Sequence, residues 1–238
     1  MFFLVSHKYK FLMGWSAKCG CSAVKRWYMD THGVDRTNLG IPLYKLVGYG
    51  KTEYTSVNWD QPRLYNEYRK YAVVRNPYSR VVSGFVNKYV IGNKLPNRGW
   101  DSFSEFLEIL SQDTEFKTVD THHFTHQFSE NYRGFNRAGF EFDRVIQLEN
   151  LAAGLKSVST YHGMDDVQVM AANKTEYGQP GQSTSNAANT RICDFDKKNI
   201  PPFQYFYNRS TTDLVRNIYA LDFEHLEALD IFYQAPSI

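Results

Sequence analysis

The sequence predicts an α/β domain with a central parallel sheet flanked by helices, and three observations carry that prediction. Each is a strand pattern that passes into a helical one, the first two of them apolar runs: residues 11–15 before 24–28, 70–74 before 77–89, and 142–149 before 150–161. Apolar runs without alternation suit strands covered on both faces, and strands that alternate with helices suit a parallel sheet. The chain of 238 residues is long enough for one well-formed core, and nothing in it demands a second domain. The prediction is therefore one domain over residues 1–238.

Taken in order, Met1 to Val5 reads as an edge strand or packed terminus, and Phe11 to Trp15 as a buried strand. The stretch Ala17-Lys18-Cys19-Gly20-Cys21-Ser22-Ala23-Val24-Lys25-Arg26 then supplies a small-residue loop. Val24, Trp27 and Tyr28 recur at helical spacing until Gly33 gives a stop. N–H groups at such a helix start lack intrahelical partners and favour a phosphate or sulfate in front of them. Lys18 adds a mobile positive charge. The spacing is not G-x-x-x-x-G-K-[ST], and the lysine precedes the loop instead of ending it, which argues against an ordinary kinase or NTPase.

Residues 30–63 are irregular. Lys70 to Val74 then forms a strand pattern running into Arg75-Asn76-Pro77-Tyr78-Ser79-Arg80-Val81-Val82-Ser83. Asn76 can cap a helix and Pro77 suits its first turn. Val81, Phe85 and Tyr89 repeat every four residues with Val82 and Val86 alongside, giving a buried face and leaving Arg75 at the strand's carboxyl end. A guanidinium fork there, with the Ser83 hydroxyl two turns into the helix, suits a terminal phosphate monoester. His122, His123 and His126 cluster in a segment without a strong periodic pattern. Residues 142–149 read as a strand and Asn150 to Tyr161 as a helix. Glu176 to Pro202, rich in Gly, Gln, Ser, Asn and Pro, reads as a long polar loop, either a surface excursion or a lid over an acceptor site.

These segments resemble the two cofactor motifs of sulfotransferases that use 3′-phosphoadenosine 5′-phosphosulfate (PAPS), of the carbohydrate sulfotransferase family 2 type. The first motif has the form P-K-x-G-C-[ST]-x-x-K-R. Lys18, Gly20, Cys21, Ser22, Lys25 and Arg26 match it, with Ala17 in place of the proline. The second, R-[DN]-P-[FY]-x-R-[LV]-[LV]-S-x-[FY], is matched from Arg75 through Arg80 and Ser83 to Phe85. His123 to Gln127 is similar to an H-[FW]-x-P-Q element with His126 where proline is usual. Asn173-Lys174-Thr175 resembles a later N-K-[ST] element, and Tyr219 to Phe223 a closing Y-x-x-D-[FY]. The likeness runs from Lys10 to about Tyr233 and is dense only in the two cofactor motifs.

The resemblance implies a P-loop-like sulfotransferase domain that transfers a sulfuryl group from PAPS to a hydroxyl, expected on a carbohydrate, with no metal. It places Lys18, Cys19, Gly20, Cys21, Ser22, Ala23, Lys25 and Arg26 around the 5′-phosphosulfate, and Arg75 and Ser83 on the 3′-phosphate. Lys18 would stabilise charge on the leaving oxygen, and His123 would be the base that takes the acceptor proton, with Gln127 and His126 on the acceptor side. Other candidates for the base are His7, Glu53 and Asp120. Such transfer parallels phosphoryl transfer, where positioning and charge stabilisation do most of the catalysis. Alternatives left open are a catalytically silent nucleotide- or glycan-binding module of the same fold, and a P-loop-like kinase.

Composition agrees. A hydrophobic fraction of 42% with 22% charged residues is ordinary for a globular protein, and a net charge of +2 requires no polyanionic partner such as nucleic acid. Aromatic residues make up 16%; most must be core, though Trp59 and Trp100 sit in polar contexts where a ring could stack on a sugar or base. No run is long enough to span a membrane, and residues 1–5 are too short for a signal core. The family's eukaryotic members are typically Golgi-anchored, so the expectation is a bacterial or viral cytoplasmic enzyme, or a Golgi-lumenal one if the chain is trimmed of its anchor. Three cysteines give no disulfide framework, and Cys19 and Cys21 with the histidines lack zinc-site spacing. Sequons at Asn173 and Asn208 are no more than chance supplies.

Overall fold

The computed structural model describes residues 1–34, 62–92, 99–128, 141–164, 169, 178 and 186–236. Glu53, Trp59, the element Asn173-Lys174-Thr175, most of the irregular stretch 30–63 and much of the polar loop 176–202 lie outside the described residues. The chain divides into two compact units, Met1–Arg75 with Gln127–Asn173, and Asn76–His126 with Lys174–Ile238.

The first unit carries a four-stranded sheet in the order β1 (Phe2–Ser6), β2 (Phe11–Trp15), β3 (Arg69–Val74), β4 (Arg144–Gln147). The pairs β2–β3 and β3–β4 are parallel, with Met13 opposite Tyr71 and Ala72 opposite Val145. The parallel centre is as expected, and β1 adds an edge strand paired antiparallel with β2, Leu4 opposite Met13, so the sheet as a whole is mixed. The reason is chain length. Only residues 7–10 join the two strands, enough for a hairpin and far short of the dozen or more residues a parallel crossover needs.

Helices α1 (Cys21–Thr31) and α5 (Leu151–Tyr161) pack with one face of this sheet, formed by Leu4, Phe11, Met13, Trp15, Tyr71, Val73 and Ile146. Trp27 of α1 donates its indole N–H to the Ser159 hydroxyl at 3.0 Å, so α1 and α5 are joined by a buried polar contact as well as by apolar packing. Gly154 lets α5 lie close on β4: a Cβ there would come within 2.4 Å of Ile146 Cγ2. Leu12, Ala72 and Val74, on the other face, are also fully buried, which is why these strands read as unbroken apolar runs.

The second unit is helical. It comprises α2 (Pro77–Phe85), α3 (Phe103–Ser111), α4 (Thr121–Phe124), α6 (Arg209–Ile218) and α7 (Ala220–Glu227). Asn76 caps α2 by accepting the Tyr78 N–H at 2.9 Å, and Pro77 occupies the first turn, as the sequence indicates. The helical pattern expected to run on to Tyr89 changes at Val86, where a wider turn of the π type spans Val86–Ile91. Phe85, Tyr89, Trp100, Phe103, Phe106 and Phe206 interlock in an aromatic core. Trp100 stands edge-on to Tyr89 at 4.7 Å and is 4% exposed, so its ring is core and not a stacking surface. Among the described residues no helix is long and apolar enough to cross a membrane.

Candidate functional site

In the first unit the loop between β2 and α1 leads into a helix start without a side-chain cap. Gly20 precedes α1 in the left-handed region, φ 70°. No acidic residue stands in the first turn to offset the positive end of the helix. A Cβ on Gly20 would meet the side-chain ends of Leu148 at 2.6 Å and Leu151 at 3.1 Å, which could shift, but its φ of +70° is one that residues with a Cβ rarely adopt, so the turn favours glycine. Lys18 also has positive φ, 67°, and is half-buried at the loop's start. Arg75, at the carboxyl end of β3, donates from Nη1 to the Lys18 carbonyl at 3.0 Å. The two cationic residues singled out from separate motifs are thus joined through the backbone of one loop.

The remaining residues of the first motif divide by burial. Cys21, Ser22 and Arg26 are half-buried on the first turns of α1, whereas Cys19 and Ala23 are buried. Lys25 is 4% exposed and its ammonium lies 3.7 Å from the centre of the Trp15 ring. Burial pushes its pKa down, with Cys21 nearby acting in the opposite direction. A cation over an indole face recovers part of the solvation it loses, so Lys25 ties α1 to the end of β2.

Gln127, expected on the acceptor side, is wholly buried. Its Oε1 accepts from the Arg75 N–H at 2.8 Å and from the Cys19 thiol at 3.1 Å, and its Nε2 donates to the Arg75 carbonyl at 2.8 Å. Its own carbonyl accepts from the Ser16 hydroxyl at 2.9 Å. A side-chain amide that pairs with both polar groups of one residue continues β3 as a further strand would. It braces the end of β3 against the loop carrying Cys19. This role was not legible in the sequence, because the bonded residues are 52 and 108 positions away.

The second unit holds Ser83, His123 and His126. Ser83 is 6% exposed within α2. His123, on α4, hydrogen-bonds through Nδ1 to Asp120 Oδ1 at 2.9 Å, while Lys88 Nζ approaches Asp120 Oδ2 at 2.9 Å. Burial pushes the His123 imidazole down to about 4 against the pull of Asp120, with Lys88 and His122 adding to the fall. Burial would raise the Asp120 carboxyl, but bonds from Lys88 and His123 outweigh it and hold that group at about 2. At neutral pH this is a neutral imidazole beside a carboxylate. The partners Asp120 and Lys88 carry a signal only in part: Asp120 lies one turn before His123, but nothing in the spacing brings Lys88 to it. His7, the other imidazole considered, is exposed in the first unit with Nδ1 2.9 Å from the Tyr68 hydroxyl.

A second network explains motif residues that no ligand role accounted for. Arg80, 1% exposed, donates to the Thr125 carbonyl at 2.7 Å and faces Asp222, fully buried, at 3.9 Å. Asp222 lies 3.8 Å from His126 Nδ1. Tyr219, between α6 and α7, donates its hydroxyl to the Phe124 carbonyl at 2.8 Å. The second motif and the closing Y-x-x-D element therefore grip residues 124–126 from two sides. His126 belongs to this buried network, and Asn208, at the chance sequon, is taken up in capping α6.

Comparison with known proteins returns one finding. The model of the sulfotransferase family matches residues 2–227, nearly the whole chain and across both units. No curated protein and no solved structure matches the chain.

Proposed function

The chain belongs to the sulfotransferase family, and from that premise we propose that it transfers the sulfuryl group of PAPS to a hydroxyl of a carbohydrate acceptor, residues 1–238 working as one sulfotransferase domain. The observation that carries the reading is the pairing of Arg75 with the Lys18 carbonyl at the mouth of an uncapped, acid-free helix start. The donor set fits a ligand bearing more than one phosphate: backbone N–H groups at a helix start, an ammonium and a guanidinium, with no carboxylate in the first turn. PAPS supplies a sulfuryl group already attached to a phosphate that can depart.

Loop residues 18–23 with Arg26 surround the 5′ end of the donor. Lys25 contributes from beneath, by fixing α1 on Trp15. Arg75 and Ser83 take the 3′-phosphate. Lys18 offers its ammonium to the negative charge that grows on the departing phosphate, a contact that strengthens as reaction proceeds and so acts on turnover more than on affinity. His123, neutral at physiological pH, takes the acceptor's proton. Gln127 serves the site by holding Arg75 and the loop in place, and His126, beside Asp222, lies on the acceptor side.

The test is incubation with radiolabelled PAPS and a panel of glycans, run beside Lys18→Ala. Label in a glycan, lost by several orders of magnitude in the variant while 3′-phosphoadenosine 5′-phosphate still binds, is the expected result. Label that enters only a lipid or peptide overturns the carbohydrate assignment. Binding of PAPS without turnover would make the chain a silent module, and Mg²⁺-dependent phosphate transfer from ATP would make it a kinase.

A further inference from the structure

The side chains of Lys88, Asp120 and His123 form a chain of polar contacts in the second unit, with side-chain exposures of 15%, 27% and 21%. We propose that Asp120 is a positioning residue that accepts a hydrogen bond from the Nδ1–H of His123 and leaves Nε2 bare as the proton acceptor, while Lys88 fixes the carboxylate that does so. The inference rests on the proposed role of His123 as base and adds to it the groups that decide which ring nitrogen is bare.

The argument is one of donors and acceptors. A carboxylate only accepts, so the 2.9 Å contact of Asp120 Oδ1 with His123 Nδ1 puts the single proton of the neutral ring on Nδ1. Among the described residues Nε2 has no hydrogen-bond partner. The other oxygen, Oδ2, is held by Lys88 at 2.9 Å, so the carboxylate cannot turn away without losing a charge-assisted bond. Lys88 comes from the wide turn Val86–Ile91, and departures of this type from regular helix recur at functional sites. Asp120 thus resembles in logic the orienting carboxylate of any acid–base pair: it does not itself exchange a proton, but it steadies the imidazolium that forms when Nε2 is protonated.

The arrangement makes an uncommon prediction about Asp120→Asn. An ammonium has only protons to offer, so Lys88 claims the carbonyl oxygen of the introduced amide and turns its NH₂ toward His123. Nδ1 must then accept, the ring proton moves to Nε2, and the ring can no longer take a proton from a hydroxyl. Removing Lys88 as well frees the amide to rotate, and the original tautomer returns.

The full chain, labelled with ¹⁵N-histidine, is examined at neutral pH by long-range ¹H–¹⁵N spectra, with His123 assigned from His123→Ala. The expected result is a protonated Nδ1 and bare Nε2 in the parent, the reverse in Asp120→Asn, and the parental pattern in Lys88→Met/Asp120→Asn. In the labelled-PAPS assay Asp120→Asn should lose about 100-fold or more in turnover, the range that general-base catalysis supplies, and the double variant should recover about tenfold of it. A bare Nδ1 in the parent, or a double variant worse than Asp120→Asn, overturns the proposal. Full turnover in His123→Ala would instead remove His123 as base, while the tautomer spectra still decide what Asp120 does to the ring.

Discussion

Replacing Gln127 tests the brace at the centre of the first unit. In Gln127→Ala the Arg75 N–H and C=O lose partners at 2.8 Å each and the Cys19 thiol loses its acceptor; Gln127 and Cys19 are wholly buried and Arg75 is half-buried. A hydrogen bond lost in such a half-buried place costs about 0.5–1.5 kcal/mol, so the two bonds to Arg75 imply about 1–3 kcal/mol, a sizeable part of the 5–15 kcal/mol that a domain has to lose. Gln127→Glu separates the two halves of the amide. Its carboxyl keeps an oxygen toward the Arg75 N–H and the thiol but sets the other against the Arg75 carbonyl, where only the protonated form can donate. Folding therefore raises the pKa of the introduced carboxyl, the folded chain binds more protons than the unfolded one, and stability is present below the carboxyl's ordinary value of about 4.3 and falls as pH rises past it. Urea denaturation from pH 4 to 8 is the assay: the parent minus Gln127→Glu difference should widen with pH, and Gln127→Ala should be destabilised throughout. A Gln127→Ala midpoint within about 0.5 kcal/mol of the parent, or a pH-independent gap for Gln127→Glu, would refute the reasoning.

Two further outcomes concern buried charge. Asp222→Asn leaves the Arg80 guanidinium, 1% exposed, without its facing carboxylate and should cost about 3–5 kcal/mol by denaturation, whereas Arg80→Met/Asp222→Leu should lie nearer the parent; equal losses in both would deny that the pair acts as a unit. His32, His162 and His123 all have imidazoles lowered by burial, His123 to about 4, so the unfolded chain takes up more protons than the folded one below about 6.5. Their contribution is whole above that value and is lost as pH falls toward 4; thermal midpoints that stay level from pH 7 to 4.5 would contradict it.

Local pattern made β2, β3 and the start of α2 legible. Phe11 to Trp15 is apolar throughout because both faces are covered, and Asn76-Pro77 states a helix start in two residues. The loop with Gly20 was legible for the same reason, since backbone handedness and the lack of a side-chain cap are decided within a few residues. What the sequence did not disclose depends on partners far along the chain. Gln127 reads as an acceptor-side residue until Cys19 and Arg75 are seen around it, and Arg80 is a motif arginine without a role until Asp222, 142 positions later, is found facing it. The wide turn at Val86–Ile91 and the break at Tyr219 interrupt residues whose pattern is otherwise helical, because packing of Tyr89 and the Tyr219 hydroxyl overrides local preference.

The positive φ of Lys18 carries a cost that the rest of its loop does not. A residue with a Cβ in the left-handed region gives up about 1–2 kcal/mol that glycine would keep. The chain places the ammonium proposed to act on the departing phosphate where the backbone least welcomes a side chain. Selection for durability alone would drift this position toward glycine, and selection for the proposed chemistry would pull it back. Thermostabilising screens of this protein that score folding without turnover will therefore tend to enrich its inactive forms, beginning at residue 18.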